Sequence, residues 1–376
     1  MSSLYFKLSC FARWLLKICF SCRSIIVFAI YRIPFFFISI SSLNCSRHHN
    51  IGFKYNFFNR LGYAATPITN LRVGQVRSYS SNAGEKLDPN FVTGLTEAEG
   101  CFSIVKSRDT RAKFGMTVSL RFKITMLINE TVLLKKVHDF FGVGTISINE
   151  KYGTVDYLVR DKISLKVIKD HFIKYPLRGS KHLDFIDFKQ ALELIEQNLH
   201  RSEEGIKLLI SLSECMNSLR EDFSNMPPVH TIKENLEFIP LDGNYINGFI
   251  AGDGCLFLKT KSNFGVMGIQ ISQHANNSHL MKEIVKFFNI DLNVYSHSKK
   301  SIQITLGGKK LWKEVISKHF SIYPLHGSKA LRLEKMIAIA KIIESGEHLK
   351  RVGKVASWKP EYKERILKIW NDDYEV

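Results

Sequence analysis

The chain has 376 residues and a formal charge of +18, so it is long enough for one or two domains, and its basic balance favours a polyanionic partner, nucleic acid first. Only Cys19 and Cys22 stand three positions apart, and the lack of a second such pair argues against a structural zinc site. The cysteines of the part that we expect to fold are scattered and are predicted to be reduced thiols: Cys101, Cys215 and Cys255.

Residues 1–86 are predicted to be a leader segment that the fold does not need. The first 84 residues hold ten Lys and Arg and no Asp or Glu, which is typical of a mitochondrial targeting peptide, and residues 77–81 resemble a presequence cleavage site. Two alternatives stay open: the segment is left over from translation into the main reading frame, or it spans a membrane. The second is marginal, because Ser24–Tyr31 and Ile33–Ile40 are each far shorter than the roughly 20 apolar residues that a bilayer requires.

The sequence after the leader is predicted to contain two copies of one order of elements. Each copy reads as helix, two strands, helix, two strands and two helices, and the first copy starts at a helix cap formed by Asp88 with Pro89. The connector between the copies is predicted to hold one helix over Glu203–Leu219. The four predicted segments are a first copy, 87–197, a connector, 198–243, a second copy, 244–345, and a basic tail, 346–376.

Two short motifs occur at matching places in both copies. Val92–Gly100 and Ile246–Gly254 are apolar helix patterns that end in an acidic residue followed by Gly. Tyr175–Lys181 and Tyr323–Lys329 share the pattern Tyr-Pro-Leu-x-Gly-Ser-Lys. The separation from acid to lysine is 82 residues in the first copy and 76 in the second, so the duplication spans whole domains rather than isolated motifs.

Small residues stand four positions apart in each motif helix, at Gly94 and Ala98 in the first and at Gly248 and Gly252 in the second. Small side chains allow two helix backbones to approach closely. We therefore expect the two motif helices to cross side by side and to place the two copies about a pseudo-two-fold axis.

The acids Glu99 and Asp253 need a separate explanation. A carboxylate at the C-terminal end of a helix faces the negative end of the helix dipole, at a cost of roughly 0.3–1 kcal/mol, and packing the two helices together adds like-charge repulsion. A divalent metal bound by carboxylate oxygens would offset both effects, and on a basic surface it would suit phosphodiester hydrolysis. The alternative is two solvated acids, each followed by a glycine cap.

Taken together, these motifs resemble the signature of the LAGLIDADG homing endonucleases in their single-chain, two-repeat form, over roughly residues 88–345. The resemblance implies an α+β fold of two pseudo-symmetric αββαββα repeats, with saddle-shaped antiparallel sheets that straddle DNA and a central interface of two motif helices. It also implies that Glu99 and Asp253, with the adjoining Gly100 and Gly254, bind the catalytic metal, Mg2+ or Mn2+.

The resemblance further implies catalytic side chains beside each acid. The basic residues that precede the last helix of each repeat are Lys181 and Lys329. Gln273 matches the polar residue that ends the second strand, whereas Met126 stands at that place in the first repeat, so we expect weaker chemistry in the first half-site. The sixth motif position is also unequal, with Glu97 in the first copy and Ala251 in the second, although that position is often not catalytic.

Alternating strand patterns place polar and basic side chains on one face of each predicted sheet. Such a face fits the major groove, where Arg and Lys bond guanine and Gln bonds adenine. For each single residue the alternative is a solvated strand face. The candidate DNA contacts are Ser119, Arg121, Lys123, Lys259, Lys261, Gln270, Ser301, Gln303 and Thr305.

The leading interpretation is a site-specific, metal-dependent double-strand DNA endonuclease that promotes intron homing and acts as a monomer with an internal pseudo-dimer. One alternative is an RNA maturase that binds its host intron and assists splicing. Another is a DNA-binding regulator with an inactive site, which the acids in both motifs argue against.

Overall fold

The computed structural model describes residues 86–223, 240–260, 266–298, 300–352 and 355–371. The predicted leader features before residue 86 and the candidate DNA contact Lys261 lie outside these ranges. Within them, none of the helices has the length and apolar character that crossing a membrane requires. The described cysteines are unpaired thiols: Cys101, Cys215 and Cys255.

Both repeats follow the predicted order of elements. The first repeat consists of α1 (Pro89–Glu99), β1 (Gly100–Arg108), β2 (Met116–Leu127), α2 (Thr131–Phe141), β3 (Thr145–Asn149), β4 (Thr154–Val159), α3 (Lys162–Lys174) and α4 (Lys181–Glu196). The connector contributes α5 (Glu203–Glu214). The second repeat consists of α6 (Gly243–Asp253), β5 (Gly254–Lys259), β6 (Val266–His274), α7 (Ser278–Phe287), β7 (Tyr295–Ser298), β8 (Ser301–Gly307), α8 (Lys309–Leu311), α9 (Ser317–Ile322) and α10 (Ser328–Ser345), with the π-helical turn Trp312–Ile316 between α8 and α9.

The two motif helices begin with the same cap. The Asp88 side chain accepts the backbone N–H of Asn90 at 2.7 Å, and the Asp242 side chain accepts that of Asn244 at 2.7 Å. An aspartate in this position satisfies one of the N–H groups that the first turn of a helix leaves without a partner. Both motif helices therefore start at a sequence-encoded point, which fixes where their last residues fall.

Each repeat contains one four-stranded antiparallel sheet, which confirms the α+β prediction. The strand orders are β1-β2-β4-β3 and β5-β6-β8-β7. One face of each sheet is covered by helices; in the first repeat Phe102 on that face lies 5.1–5.5 Å, between ring centroids, from four other phenylalanine rings. On β2, Leu120, Phe122 and Ile124 are buried, while the side chains between them are partly exposed. The other face of each sheet thus remains open to a ligand.

The connector helix is shorter than expected. The predicted helix over Glu203–Leu219 ends at Glu214, because the backbone becomes extended at Met216 (φ −106°, ψ 154°), and Asn217 then adopts a left-handed conformation (φ 56°). This bend places the Asn217 side chain beside β1, where its Nδ2 donates to the carbonyl of Phe102 at 2.9 Å. The connector therefore covers part of the exposed edge of the first sheet.

The described part of the predicted basic tail, residues 346–376, has secondary structure of its own. The chain forms a hairpin of β9 (Leu349–Val352) and β10 (Val355–Trp358), followed by α11 (Pro360–Asn371). Ile366 of α11 is fully buried, and the Arg332 guanidinium of α10 lies 4.5 Å above the Trp370 ring. The segment folds because α10 offers it an apolar surface, which local charge in the sequence does not reveal.

Candidate active site

The motif helices α1 and α6 cross at the predicted small residues. A Cβ atom added at Gly94 would overlap the Tyr245 carbonyl oxygen and lie 2.8 Å from its carbon. A Cβ atom added at Gly248 would overlap the Phe91 carbonyl in the same way, again with 2.8 Å to the carbon. Backbone therefore lies against backbone at this crossing, an approach that only glycine permits.

The close contact continues to the ends of the helices, where the acids stand. A Cβ atom added at Gly252 would overlap the Ala98 side chain and lie 3.0 Å from Cγ of Glu99. Glu99 is the last residue of α1, and Asp253 is the last residue of α6. The side chain of Glu99 thus starts out against the last turn of α6, one residue before Asp253, so the crossing brings the two carboxylates together.

Lys181 and the end of α1 form the first of two lysine contacts. Its Nζ donates to the carbonyl oxygen of Gly100 at 2.6 Å and to that of Ala98 at 3.4 Å. The last carbonyls of a helix have no partner within the helix and carry its negative dipole end. The ammonium group therefore offsets part of the negative charge that we expected a metal alone to offset.

Lys329 makes the equivalent contact at the end of α6. Its Nζ donates to the carbonyl oxygens of Gly252 at 2.6 Å and Ile250 at 2.9 Å. Burial lowers the pKa of Lys329, while the negative charges of Asp253 and Glu99 oppose that shift. Lys329 therefore interacts electrostatically with both carboxylates, which further supports their proximity.

The two half-sites differ at the strand end beside each acid. Gln273 of β6 donates a hydrogen bond from Nε2 to Oδ2 of Asp253. Met126 of β2 is buried and carries a thioether, which cannot donate such a bond. In the second half-site an amide at the strand end therefore orients the acid, whereas Met126 at the equivalent strand position offers no such donor.

Glu97 has a role that the sequence did not indicate. Its side chain is buried, and Oε2 accepts the backbone N–H groups of Arg178 and Gly179, both at 2.9 Å, and the hydroxyl of Tyr245 at 3.0 Å. Glu97 therefore fastens the turn before Lys181 to both motif helices. An acid inside an apolar helix pattern was the only available signal, because its partners are two backbone groups about 80 residues away and the hydroxyl of Tyr245 on the other motif helix.

The residues present fit a divalent metal that takes further ligands from elsewhere. In the described part of the chain, no group of three or more His, Cys, Asp or Glu side chains is arranged so that it could hold a metal ion. Glu99 and Asp253 supply two hard carboxylates, and Mg2+ characteristically takes one or two carboxylates and completes its shell with water and substrate phosphate. The carbonyl of Gly100, a predicted ligand with Gly254, already accepts the ammonium of Lys181. The carboxylates are thus the better candidates for direct ligands.

The open face of the first sheet carries the predicted residues Ser119, Arg121 and Lys123. Ser119 is exposed, and the other two are partly exposed. Lys123 lies 3.6 Å from a carboxylate oxygen of Asp156, which also accepts the hydroxyl of Thr125 at 2.6 Å. The Nε atom of Arg121 is buried without a hydrogen-bond partner among the described residues. This face therefore offers cations, a hydroxyl and one acid.

The open face of the second sheet carries mainly amides and hydroxyls, with one lysine beside them. Gln270 donates to Gln303 at 3.2 Å, and Gln303 donates to the hydroxyl of Thr305 at 3.2 Å. Ser301 is partly exposed on the same strand. Lys259 is exposed, with its Nζ 4.9 Å from the centre of the Phe257 ring. The two faces thus differ in chemistry, as an asymmetric ligand would require.

Comparison with known proteins agrees with this geometry. The family model described as LAGLIDADG endonuclease matches residues 92–192 and 246–340, which is one match for each repeat. The chain belongs to the LAGLIDADG endonuclease family. Each match includes the acid of one motif helix, one sheet and one of the two lysines, so the matched residues include the acids and lysines of the site described above.

Relatives of this LAGLIDADG protein carry names of intron-encoded enzymes. Probable intron-encoded endonuclease 2 of Neurospora crassa is 29% identical over 76% of this chain and 69% of its own length. Probable intron-encoded endonuclease 3 of the same fungus is 24% identical, over 80% and 59%. Probable intron-encoded endonuclease Cox1-I1b of Schizosaccharomyces pombe is 30% identical, over 67% and 61%. The chain thus spans roughly three fifths to two thirds of the relatives' lengths.

Solved structures give the same family. The LAGLIDADG meganuclease I-CpaMI bound to uncleaved DNA superposes with a TM-score of 0.63 at 25% identity, over 76% of this chain and 99% of the other. The LAGLIDADG homing endonuclease I-GzeII in complex with its DNA target gives 0.64 at 27% identity, over 77% and 100%. The matched part of this chain therefore accounts for nearly all of each solved chain.

Proposed function

We propose that this chain is a site-specific double-strand DNA endonuclease that promotes the homing of its intron by metal-dependent phosphodiester hydrolysis. The observation that carries the proposal is the pair of carboxylates, Glu99 and Asp253, at the ends of two helices whose backbones touch. A lysine holds the end of each helix, and an open polar face extends from each half-site. Similarity to enzymes solved with bound DNA supports DNA as the ligand.

The two sheet faces would bind the duplex and set its register over the acids. Lys123 and Arg121 suit guanine or phosphate, while Gln270 and Gln303 suit adenine, so the two halves would read different sequences. A single chain with unequal faces matches an asymmetric target site. Binding is therefore proposed to be monomeric, with both halves of the duplex contacted by one chain.

Glu99 and Asp253 would hold Mg2+ or Mn2+ through their carboxylate oxygens. Such a metal supplies an activated water nucleophile and stabilises the leaving oxygen. Lys181 and Lys329 would keep positive charge beside the phosphates, where negative charge develops in the transition state. Gln273 would hold Asp253 in one orientation. Because Met126 cannot do this for Glu99, we expect the first half-site to cut its strand more slowly.

The maturase alternative is not favoured, because the relatives bear the names of endonucleases. Host intron RNA remains a second partner that only a splicing assay would reveal. Splicing assistance that survives replacement of both acids would support it. Relatives named for ND4 and cox1 introns support a mitochondrial location for the proposed activity.

The test is cleavage of a randomised duplex library by the full chain in the presence of Mg2+. The variants Glu99→Gln and Asp253→Asn should lose cleavage at least about 100-fold and keep duplex affinity, since each removes a proposed metal ligand and no DNA contact. Glu204→Gln, at an exposed position of the connector helix, is the matched control and should cut normally. Undiminished cleavage by both active-site variants would exclude the proposed chemistry.

A further inference from the structure

We propose that Asn277 is a positioning residue that orients Asp253 through Gln273 and at the same time anchors the turn that carries Lys181 of the other repeat. The inference deepens the proposed function and rests on it. It assigns to one side chain a link between the two half-sites.

Asn277 uses both ends of its side chain at the boundary between the repeats. It is 5% exposed and stands directly before α7. Its Oδ1 accepts the backbone N–H of Ser180 at 2.7 Å, and its Nδ2 donates to Oε1 of Gln273 at 2.9 Å. Ser180 belongs to the first repeat and Gln273 to the second, so Asn277 connects them.

The position of Asn277 makes this use of its side chain unexpected. The residue before a helix is where asparagine ordinarily accepts an N–H of its own helix, worth about 1 kcal/mol. Asn277 makes no such bond, and Glu130, at the equivalent place before α2, makes none either. Both side chains bond to the other repeat instead, so each contact between the repeats takes the place of a stabilising helix cap.

One backbone group sets the donor and acceptor at each step of the hydrogen-bond series from Ser180 through Asn277 and Gln273 to Asp253. The N–H of Ser180 can only donate, so the atom of Asn277 that faces it must be the oxygen. The amide nitrogen of Asn277 then faces Gln273, whose oxygen must accept. The nitrogen of Gln273 is thereby turned to Asp253, and it donates to Oδ2 of that carboxylate. Asn277 thus decides which end of Gln273 the acid meets.

The first half-site lacks this hydrogen-bond series, although Glu130 braces the serine turn of the other repeat just as Asn277 does; we call these two side chains the braces. Glu130 accepts the backbone N–H of Ser328 at 3.1–3.2 Å and also the Ser328 hydroxyl. A carboxylate only accepts, so Glu130 has nothing to donate to a strand-end amide, and Met126 offers none. Each brace therefore suits the residue at the strand end of its own repeat. Asn277 can donate to the amide of Gln273, whereas Glu130, which cannot donate, is paired with the thioether of Met126. Orientation of the acid through the brace therefore belongs to the second half-site.

The variant Asn277→Asp separates the two bonds. The new carboxylate still accepts the N–H of Ser180, so the turn before Lys181 stays in place. It cannot donate to Gln273, which would rotate its nitrogen toward the carboxylate and present its oxygen to Asp253. We expect the strand cut by the second half-site to be cleaved about 10- to 100-fold more slowly, with the other strand and the duplex affinity unchanged.

The readout is strand-resolved cleavage of an end-labelled duplex, together with accumulation of nicked plasmid. Asn276→Asp is the matched control: it adds the same charge one residue away and should cut both strands at the wild-type ratio. Gln273→Leu should slow the same strand as Asn277→Asp, and the double variant should be no slower than Gln273→Leu alone. A wild-type strand ratio in Asn277→Asp, or equal slowing of both strands, would overturn the inference.

Urea unfolding of Asn277→Ala, Gln273→Leu and the double variant gives a second readout that requires no cleavage. The two destabilisations should be less than additive, because both variants break one shared bond. Strict additivity would overturn the inference. A wild-type chain that cuts no duplex would instead overturn the proposed function, and the unfolding cycle would still decide the link between Asn277 and Gln273.

Discussion

Lys329 brings an ammonium group to a place where negative charge accumulates. Its Nζ lies 2.6–2.9 Å from two carbonyl oxygens at the end of α6, and the charges of Asp253 and Glu99 oppose the lowering of its pKa by burial. The chain thus places a fixed cation beside both proposed metal ligands. A metal ion would add positive charge to a site that the protein has already partly neutralised.

We predict that Lys329→Met reduces cleavage about 100- to 1,000-fold, because it removes a charged donor beside the reacting phosphates and leaves a side chain of similar length. Cleavage of the selected duplex at saturating concentration is the measurement. Lys318→Met, at an exposed position of α9, is the control and should retain activity. Loss of cleavage caused only by weaker duplex binding would contradict the prediction.

The acids and the lysines of the site can be found from the sequence, but the residues that position the turns before the lysines cannot. Glu99, Asp253, Lys181 and Lys329 repeat at matching places, so the duplication marks them. The partners of Glu97 are the backbone N–H groups of a distant turn and the hydroxyl of Tyr245, and these contacts leave no pattern in the sequence. The same is true of the side chains that brace the two serine turns: Asn277 and Glu130.

Among the elements, the crossing of α1 and α6 determines the distance between the acids. At Gly248, a Cβ atom would overlap the carbonyl of Phe91 and lie 2.7 Å from the nitrogen of Leu95. These obstacles are backbone atoms within a second helix, so they cannot rotate away as a side chain would. Any separation of the helices would also move Glu99 away from Asp253.

We predict that Gly248→Ala lowers the free energy of unfolding by about 1–3 kcal/mol, because the added methyl group overpacks the crossing. The sign is informative, since alanine in an unobstructed helix interior would stabilise by about 1 kcal/mol relative to glycine. Urea unfolding of the full chain is the measurement. Gly307→Ala is the comparison: its Cβ atom would come no closer than 3.2 Å to Phe257 and 3.3 Å to the Met267 carbonyl oxygen, so the substitution should cost less. A more stable Gly248→Ala protein would contradict the close crossing.

The order of elements was predictable because hydrophobic period and caps are local signals. Asp88 with Pro89 marked the start of α1, and alternation marked β2. The early end of α5 and the hairpin and helix after α10 were not predicted, for reasons of tertiary structure. Helix α5 ends at Glu214, before the extended Met216, and α11 folds because Ile366 is buried by contacts with the rest of the chain. Neither condition is visible in a short window of sequence.

Considered whole, the molecule is two copies of one design that have diverged in their sites. The first repeat has Met126 at the strand end and Arg121 and Lys123 on its sheet, whereas the second has Gln273 bonded to its acid and a row of amides on its sheet. Joining both copies in one chain lets each half specialise, which two identical subunits could not do. The unequal half-sites and the unequal faces are thus consequences of the same duplication.

The two copies also share a buried histidine, which links the stability of the whole chain to pH. His171 has its Nε2 3.0 Å from the hydroxyl of Thr93, and His319 has its Nε2 2.7 Å from the side-chain oxygen of Asn247. Both partners lie on motif helices. Burial lowers the pKa of His171 to about 3 and that of His319 to about 4. Both rings are therefore neutral in the folded chain at pH 7.

We predict that the chain loses stability as the pH falls below about 6.5, where the unfolded histidines take up protons that the folded ones refuse until about pH 3 and pH 4. The contribution of the neutral rings to the free energy of unfolding is present in full above about pH 6.5. At pH 5 the loss of this contribution should have lowered the free energy of unfolding by about 2 kcal/mol for each ring. The double variant His171→Gln/His319→Gln should therefore lose less stability between pH 7 and pH 5 in urea unfolding. Glu283, whose pKa burial raises to about 7, acts in the opposite direction but equally in both proteins. Parallel pH profiles for the two proteins would contradict the assignment of the buried neutral rings.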